Sequence, residues 1–116
     1  MSKQATPAPD ARILERLFKI IAGRKGSDPG TSYTAKLLAE GTVRIAKKLG
    51  EEATETIIAA TAGTGPEVAR ESADLLYHLL VLWAATGVTP ADVWAELARR
   101  EGTSGLAEKA ARKEKN

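Results

Sequence analysis

The chain has 116 residues, no cysteine, a single phenylalanine and a formal net charge of +2, which fits one domain with a modest core and excludes a disulfide framework or a thiolate metal site. That charge averages an acidic middle, with six acids and one base (Arg70) between Glu51 and Asp74, and basic flanks over Arg12–Lys48 and Arg99–Lys113; such a division excludes the single basic stripe of a nucleic-acid binder. The longest apolar stretch, Leu75 to Val88, is broken by His78 and is too short for a bilayer, and residues 1–9 lack the apolar core of a signal peptide, so a cytoplasmic, non-membrane protein is expected.

Residues 1–9 carry two prolines and read as a loose arm. A first helix is expected from Asp10, its N-cap, with Ile13, Leu14, Leu17, Phe18 and Ile21 on one face and an end at Gly23. A Gly/Pro loop follows, and helix resumes at a Thr31 or Ser32 cap and bends at Gly41. A long helix then runs from Thr42 to about Ala62, with Val43, Ala46, Leu49, Ala53, Ile57 and Ala60 along one face. Gly50 within it suggests close helix packing or a ligand. Gly63-Thr64-Gly65-Pro66 stops that helix and starts the next, which carries Val68, Leu75, Leu79, Leu82 and Trp83 to Gly87. Thr89-Pro90-Ala91-Asp92 opens a last helix ending near Gly102. Residues 103–116 read as a charged tail with too little apolar content to pack alone, leaving 10–102 as the folded domain. An abundance of alanine and leucine supports an all-α bundle of four to five helices.

Two carboxylate motifs interrupt the apolar patterning: Glu51-Glu52-Ala53-Thr54-Glu55 and Glu71-Ser72-Ala73-Asp74. Helical spacing projects Glu52 with Glu55, and Glu71 with Asp74, while Glu51 reaches the same side through Glu55. The short connection at Gly63–Pro66 makes the two helices antiparallel neighbours, so both motifs rise to a similar height. Carboxylates meeting there would repel unless cations joined them, and hard oxygen ligands favour magnesium, manganese or calcium over zinc. The alternative is plain surface charge, with Lys47–Glu51 and Lys48–Glu52 as ordinary i,i+4 pairs.

The run Ser32-Tyr33-Thr34-Ala35-Lys36-Leu37-Leu38, then Gly41, then Ile45 to Glu55, resembles phosphoribosyl-ATP pyrophosphatases of histidine biosynthesis. Glu71 to Leu82 is similar to that family's second signature, and the likeness covers about residues 11–100. Thr54 and Thr56 depart from it, standing where apolar residues are expected. The wider likeness is to all-α, MazG-like nucleotide pyrophosphatases; the Ser-Tyr-Thr-x-Lys-Leu-Leu segment points to the histidine-pathway member.

The resemblance implies hydrolysis of 1-(5-phosphoribosyl)-ATP to 1-(5-phosphoribosyl)-AMP and pyrophosphate, with magnesium (or manganese) as cofactor and a homodimer that completes the bundle. It implies Glu52, Glu55, Glu71 and Asp74 as metal ligands, and Glu51 as a second-metal ligand or a base acting on water. Lys36, Lys47 and Lys48 become candidates for phosphate contacts. His78, the only histidine, reads as a buried residue with an ordinary hydrogen bond, the alternatives being phosphate binding or orientation of Asp74. For Tyr33, nucleotide contact and packing both stay open, whereas Tyr77, Trp83 and Trp94 read as core or interface. Rival functions are a house-cleaning nucleoside triphosphate pyrophosphatase and a non-catalytic helical dimerisation module.

Overall fold

A computed structural model describes residues 8–103 and 105–115, and all but the last two residues of the expected N-terminal arm lie outside that range. Among the described residues there are six helices and no strand: α1 (Arg12–Gly23), α2 (Tyr33–Glu40), α3 (Thr42–Ala62), α4 (Gly65–Thr86), α5 (Pro90–Arg100) and α6 (Gly105–Lys115).

Local chemistry sets the boundaries. Ser32 caps α2 by accepting from the Ala35 N–H, and Thr64 caps α4 by accepting from that of Glu67. Thr89 and Asp92 form a full capping box on α5, with Pro90 in its first turn. Gly41 lies between α2 and α3 at φ 96°, ψ 174°, a region closed to other residues. At α1, Ala11 precedes the helix with helical backbone angles, and the Asp10 carboxylate one residue earlier accepts from the first-turn backbone N–H of Arg12 as well as from its guanidinium. The described part of the charged tail is helical. It forms α6, consistent with its alanine, lysine and glutamate, yet every described side chain of it is exposed, as expected of a segment with little to bury.

The helices α3 and α4 pack as a long antiparallel hairpin, and α1 and α2 lie across it. The core sits where these four meet, around Ile21, Leu37, Ile45, Leu80 and Val81. The helix α5 is tied on by Trp94, whose ring meets Trp83 edge-on at 6.0 Å and whose indole N–H donates to Glu15 of α1 at 3.1 Å. Both tryptophans therefore serve packing.

The inward face of α3 differs from the expected one. Ile45, Leu49, Glu52, Thr56 and Ala59 turn towards the bundle at alternating four- and three-residue steps. Within the expected stripe Leu49 and Ala53 are half-buried, but Val43 is 86% and Ile57 63% exposed, and Ala46 and Ala60 are exposed. Apolar periodicity misled here because two polar residues, Glu52 and Thr56, occupy the inward seam. Thr56 is accommodated there by donating to the Glu52 carbonyl one turn back, at 2.8 Å. Gly50 is exposed and a Cβ on it would meet nothing within 4 Å, so helix packing does not require its small size.

Candidate active site

The α3–α4 connection fixes how the two carboxylate motifs face each other. Thr64 and Glu67 bond reciprocally across it, the Thr64 hydroxyl donating to the Glu67 carboxylate at 3.2 Å. Gly63 is needed at this turn, since a Cβ would come within 2.8 Å of the Glu67 carboxylate and 2.9 Å of the Ala59 carbonyl. With the turn so set, Glu52 and Glu55 of α3 meet Glu71 of α4, one carboxylate oxygen from each lying within 4.8 Å of the others.

Their surroundings differ from those of surface acids. Glu52 and Glu71 are half-buried, and the Oε2 of each is out of solvent with no hydrogen-bond partner. Desolvation, followed by the negative charge of Glu55, pushes the Glu52 carboxyl above the ordinary carboxylate range; the nearby His78 opposes this and Asp74 adds to it. Glu71 is likewise raised, first by desolvation, then by contact with the Glu55 carboxyl and the charges of Glu55 and Asp74. Two orphaned buried oxygens and crowded like charges fit a hard divalent cation, which would give both a partner.

The remaining expected residues divide. Asp74 is exposed and outside the group of three, although its charge acts on both Glu52 and Glu71. Glu51 is exposed, outside the group of three, and pairs with Lys48 at 3.6 Å, so that lysine's partner is Glu51 rather than Glu52. Lys36 and Lys47 are exposed. His78 is buried and engaged at both ring nitrogens, with Nδ1 2.8 Å from the Asp74 carbonyl and Nε2 3.2 Å from the Tyr33 hydroxyl. Its ordinary hydrogen bonds are therefore made, within one turn of the acidic group.

An open cleft of about 230 Å³ runs from the carboxylates towards the turn, lined by Glu55, Ile58, Ala59, Ala62, Gly63, Glu67 and Glu71. Glu67 is the wall residue that the two motifs did not announce. Its spacing of four from Glu71 was the available signal.

An all-α bundle whose central hairpin gathers otherwise unpaired carboxylates is built as a nucleotide-phosphate hydrolase of the cation-using kind would be. Residues 14–101 match the family described as phosphoribosyl-ATP pyrophosphohydrolase, and the chain belongs to that family. It is 66% identical to the phosphoribosyl-ATP pyrophosphatase of Parvibaculum lavamentivorans, over 93% of this chain and 99% of the relative. The enzyme of the same name from Paramagnetospirillum magneticum is 61% identical over 93% and 99%. That of Azospirillum brasilense is 61% identical over 89% and 93%.

Proposed function

We propose that this chain hydrolyses 1-(5-phosphoribosyl)-ATP between its α and β phosphates, releasing 1-(5-phosphoribosyl)-AMP and pyrophosphate, an early step of histidine biosynthesis. The observation that carries this reading, in a member of this family, is the group Glu52, Glu55 and Glu71, with two buried and unpartnered oxygens. Those three residues, with Asp74 at the rim, would hold magnesium, or manganese in its place. Such a cation, when bound, neutralises charge on the leaving pyrophosphate and lowers the pKa of water beside it.

The protein's own groups do the rest. Fixed on the rigid α3–α4 hairpin, the carboxylates keep one geometry and need no rearrangement as charge develops. Glu51, outside the group and beside Lys48, is the candidate base for a water or the ligand for a second cation. Lys36, Lys47 and Lys48 are the candidate contacts to the substrate's phosphates, with Lys48 steered by its pair with Glu51.

The active form is a homodimer acting in the cytoplasm. The cleft beside the carboxylates, about 230 Å³, is smaller than the ~300–1,000 Å³ of common ligand pockets, so at that site one chain encloses too little for a nucleotide. The exposed apolar stripe of α3 supplies a surface that a second copy would cover.

The test is turnover by four single amide variants, Glu52→Gln, Glu55→Gln, Glu71→Gln and Asp74→Asn, in magnesium. Each keeps shape and loses a charge that a hard dication needs, so pyrophosphate release should fall at least about a hundredfold, the effect of losing several kcal/mol of charge stabilisation. Wild-type turnover in these variants would refute the site.

A further inference from the structure

Tyr33 is the first residue of α2 and is 51% exposed although two side chains, those of His78 and Tyr77, hold it in place. Its hydroxyl lies 3.2 Å from His78 Nε2, and its ring lies near-parallel to that of Tyr77, at 22° and 6.5 Å between centroids. Tyr77 is itself fixed by a hydroxyl contact with Thr34 and an edge-on contact with His78.

The protons in this group can be placed. A backbone carbonyl only accepts, so His78 Nδ1 carries the hydrogen that goes to the Asp74 carbonyl. His78 Nε2 is then a bare acceptor, and the Tyr33 O–H donates to it. The imidazole is thus a buried strut between the backbone of α4 at Asp74 and the ring of Tyr33 on α2. A half-exposed tyrosine packed only for stability needs no such brace, because its hydroxyl could turn to water.

The position of the ring matters for the reaction. Along α4 the order from the turn is Glu67, Glu71, Asp74 and His78, each about one helical turn from the next. The cleft occupies the turn side of the carboxylates, and Tyr33 stands beyond His78 on the opposite side. His78 lies close enough to Glu52 to act on that carboxyl. Tyr33 is therefore one side chain away from the group where the phosphates would react.

We propose that the exposed face of Tyr33 is the platform on which the substrate's purine stacks, and that His78 is the positioning residue that fixes this ring. The inference rests on the functional reading above and extends it to the base. In 1-(5-phosphoribosyl)-ATP the purine carries a sugar on N1, so the hydrogen-bonding edge used to read adenine is blocked and the ring face is left. Substitution at N1 also leaves the purine electron-poor, which suits the electron-rich face of a phenol. Stacking on an aromatic residue contributes about 1–3 kcal/mol per base, and the lower half of that range corresponds to roughly tenfold in affinity.

KM and kcat for phosphoribosyl-ATP, and inhibition by inorganic pyrophosphate, test this in the whole protein. Tyr33→Leu should raise KM about tenfold or more while leaving kcat and pyrophosphate inhibition near wild type. Tyr33→Phe and Tyr33→Trp keep a ring on Tyr77 and should recover most of the affinity. If Tyr33→Leu does not fold, the aromatic pair still decides, because Trp offers the larger face and must bind at least as tightly as Phe. For His78, His78→Gln and Tyr33→Phe should each raise KM slightly, and the double variant should be no worse than the more affected single one, since both break the same tether. An unchanged KM in Tyr33→Leu, a loss confined to kcat, or a parallel loss of pyrophosphate inhibition would overturn the proposal. Wild-type protein inactive on phosphoribosyl-ATP would instead defeat the functional reading itself, before any variant is compared.

Discussion

Ile57 offers the sharpest test of whether a second copy covers α3. In the isolated chain its side chain is 63% exposed, so truncation to alanine would touch little, and surface changes of this kind usually stay within about 0.5 kcal/mol. Against a partner helix the result differs. Fully burying an isoleucine contributes about 1.5–3 kcal/mol, and the share left exposed here corresponds to about 1–2 kcal/mol per chain. A two-fold dimer doubles this to about 2–4 kcal/mol, because the same patch is used on both chains. Ile57→Ala should therefore lower the melting temperature by roughly 5–10 °C at fixed protein concentration. It should also shift sedimentation towards monomer, and wild-type melting should rise with concentration. A monomeric wild type with the same melting temperature as Ile57→Ala would refute the reasoning.

Other predictions concern the acids and the backbone. Because Glu52 and Glu71 have raised pKa values, the cation-free native protein holds more protons than the unfolded chain just above the ordinary carboxylate range. Their contribution is favourable below the unfolded pKa and is lost as pH rises through the folded one, so Glu52→Gln and Glu71→Gln should stabilise the cation-free protein increasingly from about pH 4 to pH 7. Comparison with the variants is needed, since Glu96, held down to about 2 by Arg99 and Arg100, drives wild-type stability the opposite way; a variant gap that shrinks with rising pH would contradict the crowding. Gly41→Ala should cost about 1–3 kcal/mol through its φ of 96°, whereas Gly50→Ala should gain about 0.5–1 kcal/mol, both read by denaturant unfolding. If Gly50→Ala is more stable but less active, ligand approach explains that glycine; unchanged activity removes the last reason for it. Activity should persist after selective zinc chelation in excess magnesium, and activity restored by zinc alone would rule out an oxygen-only site.

Helix ends were readable in the sequence because caps are local: Ser32, Thr64 and the Thr89–Asp92 box each act within three residues. Asp10 likewise acts over two residues, its carboxylate accepting from the Arg12 N–H at the start of α1. The meeting of Glu52 and Glu55 with Glu71 followed from spacing and a short turn. What spacing could not fix was which of two adjacent acids turns inward, and here Glu51 is the exposed one, paired with Lys48. The inward face of α3 was hidden for a related reason: apolar periodicity marks every surface that avoids water, whether its cover is the same chain or another. The Tyr33–His78 contact joins residues 45 apart in sequence, so no local pattern announces it.

A direct comparison of substrates decides between this enzyme and its rivals. Purified protein in magnesium is offered phosphoribosyl-ATP, ATP and modified nucleoside triphosphates in parallel, and pyrophosphate release is followed for each. Phosphoribosyl-ATP should be turned over with kcat/KM well above that for every ordinary or modified triphosphate. Equal or faster turnover of the general triphosphates would make this a house-cleaning pyrophosphatase, and no release from any of them would leave a helical module without catalysis.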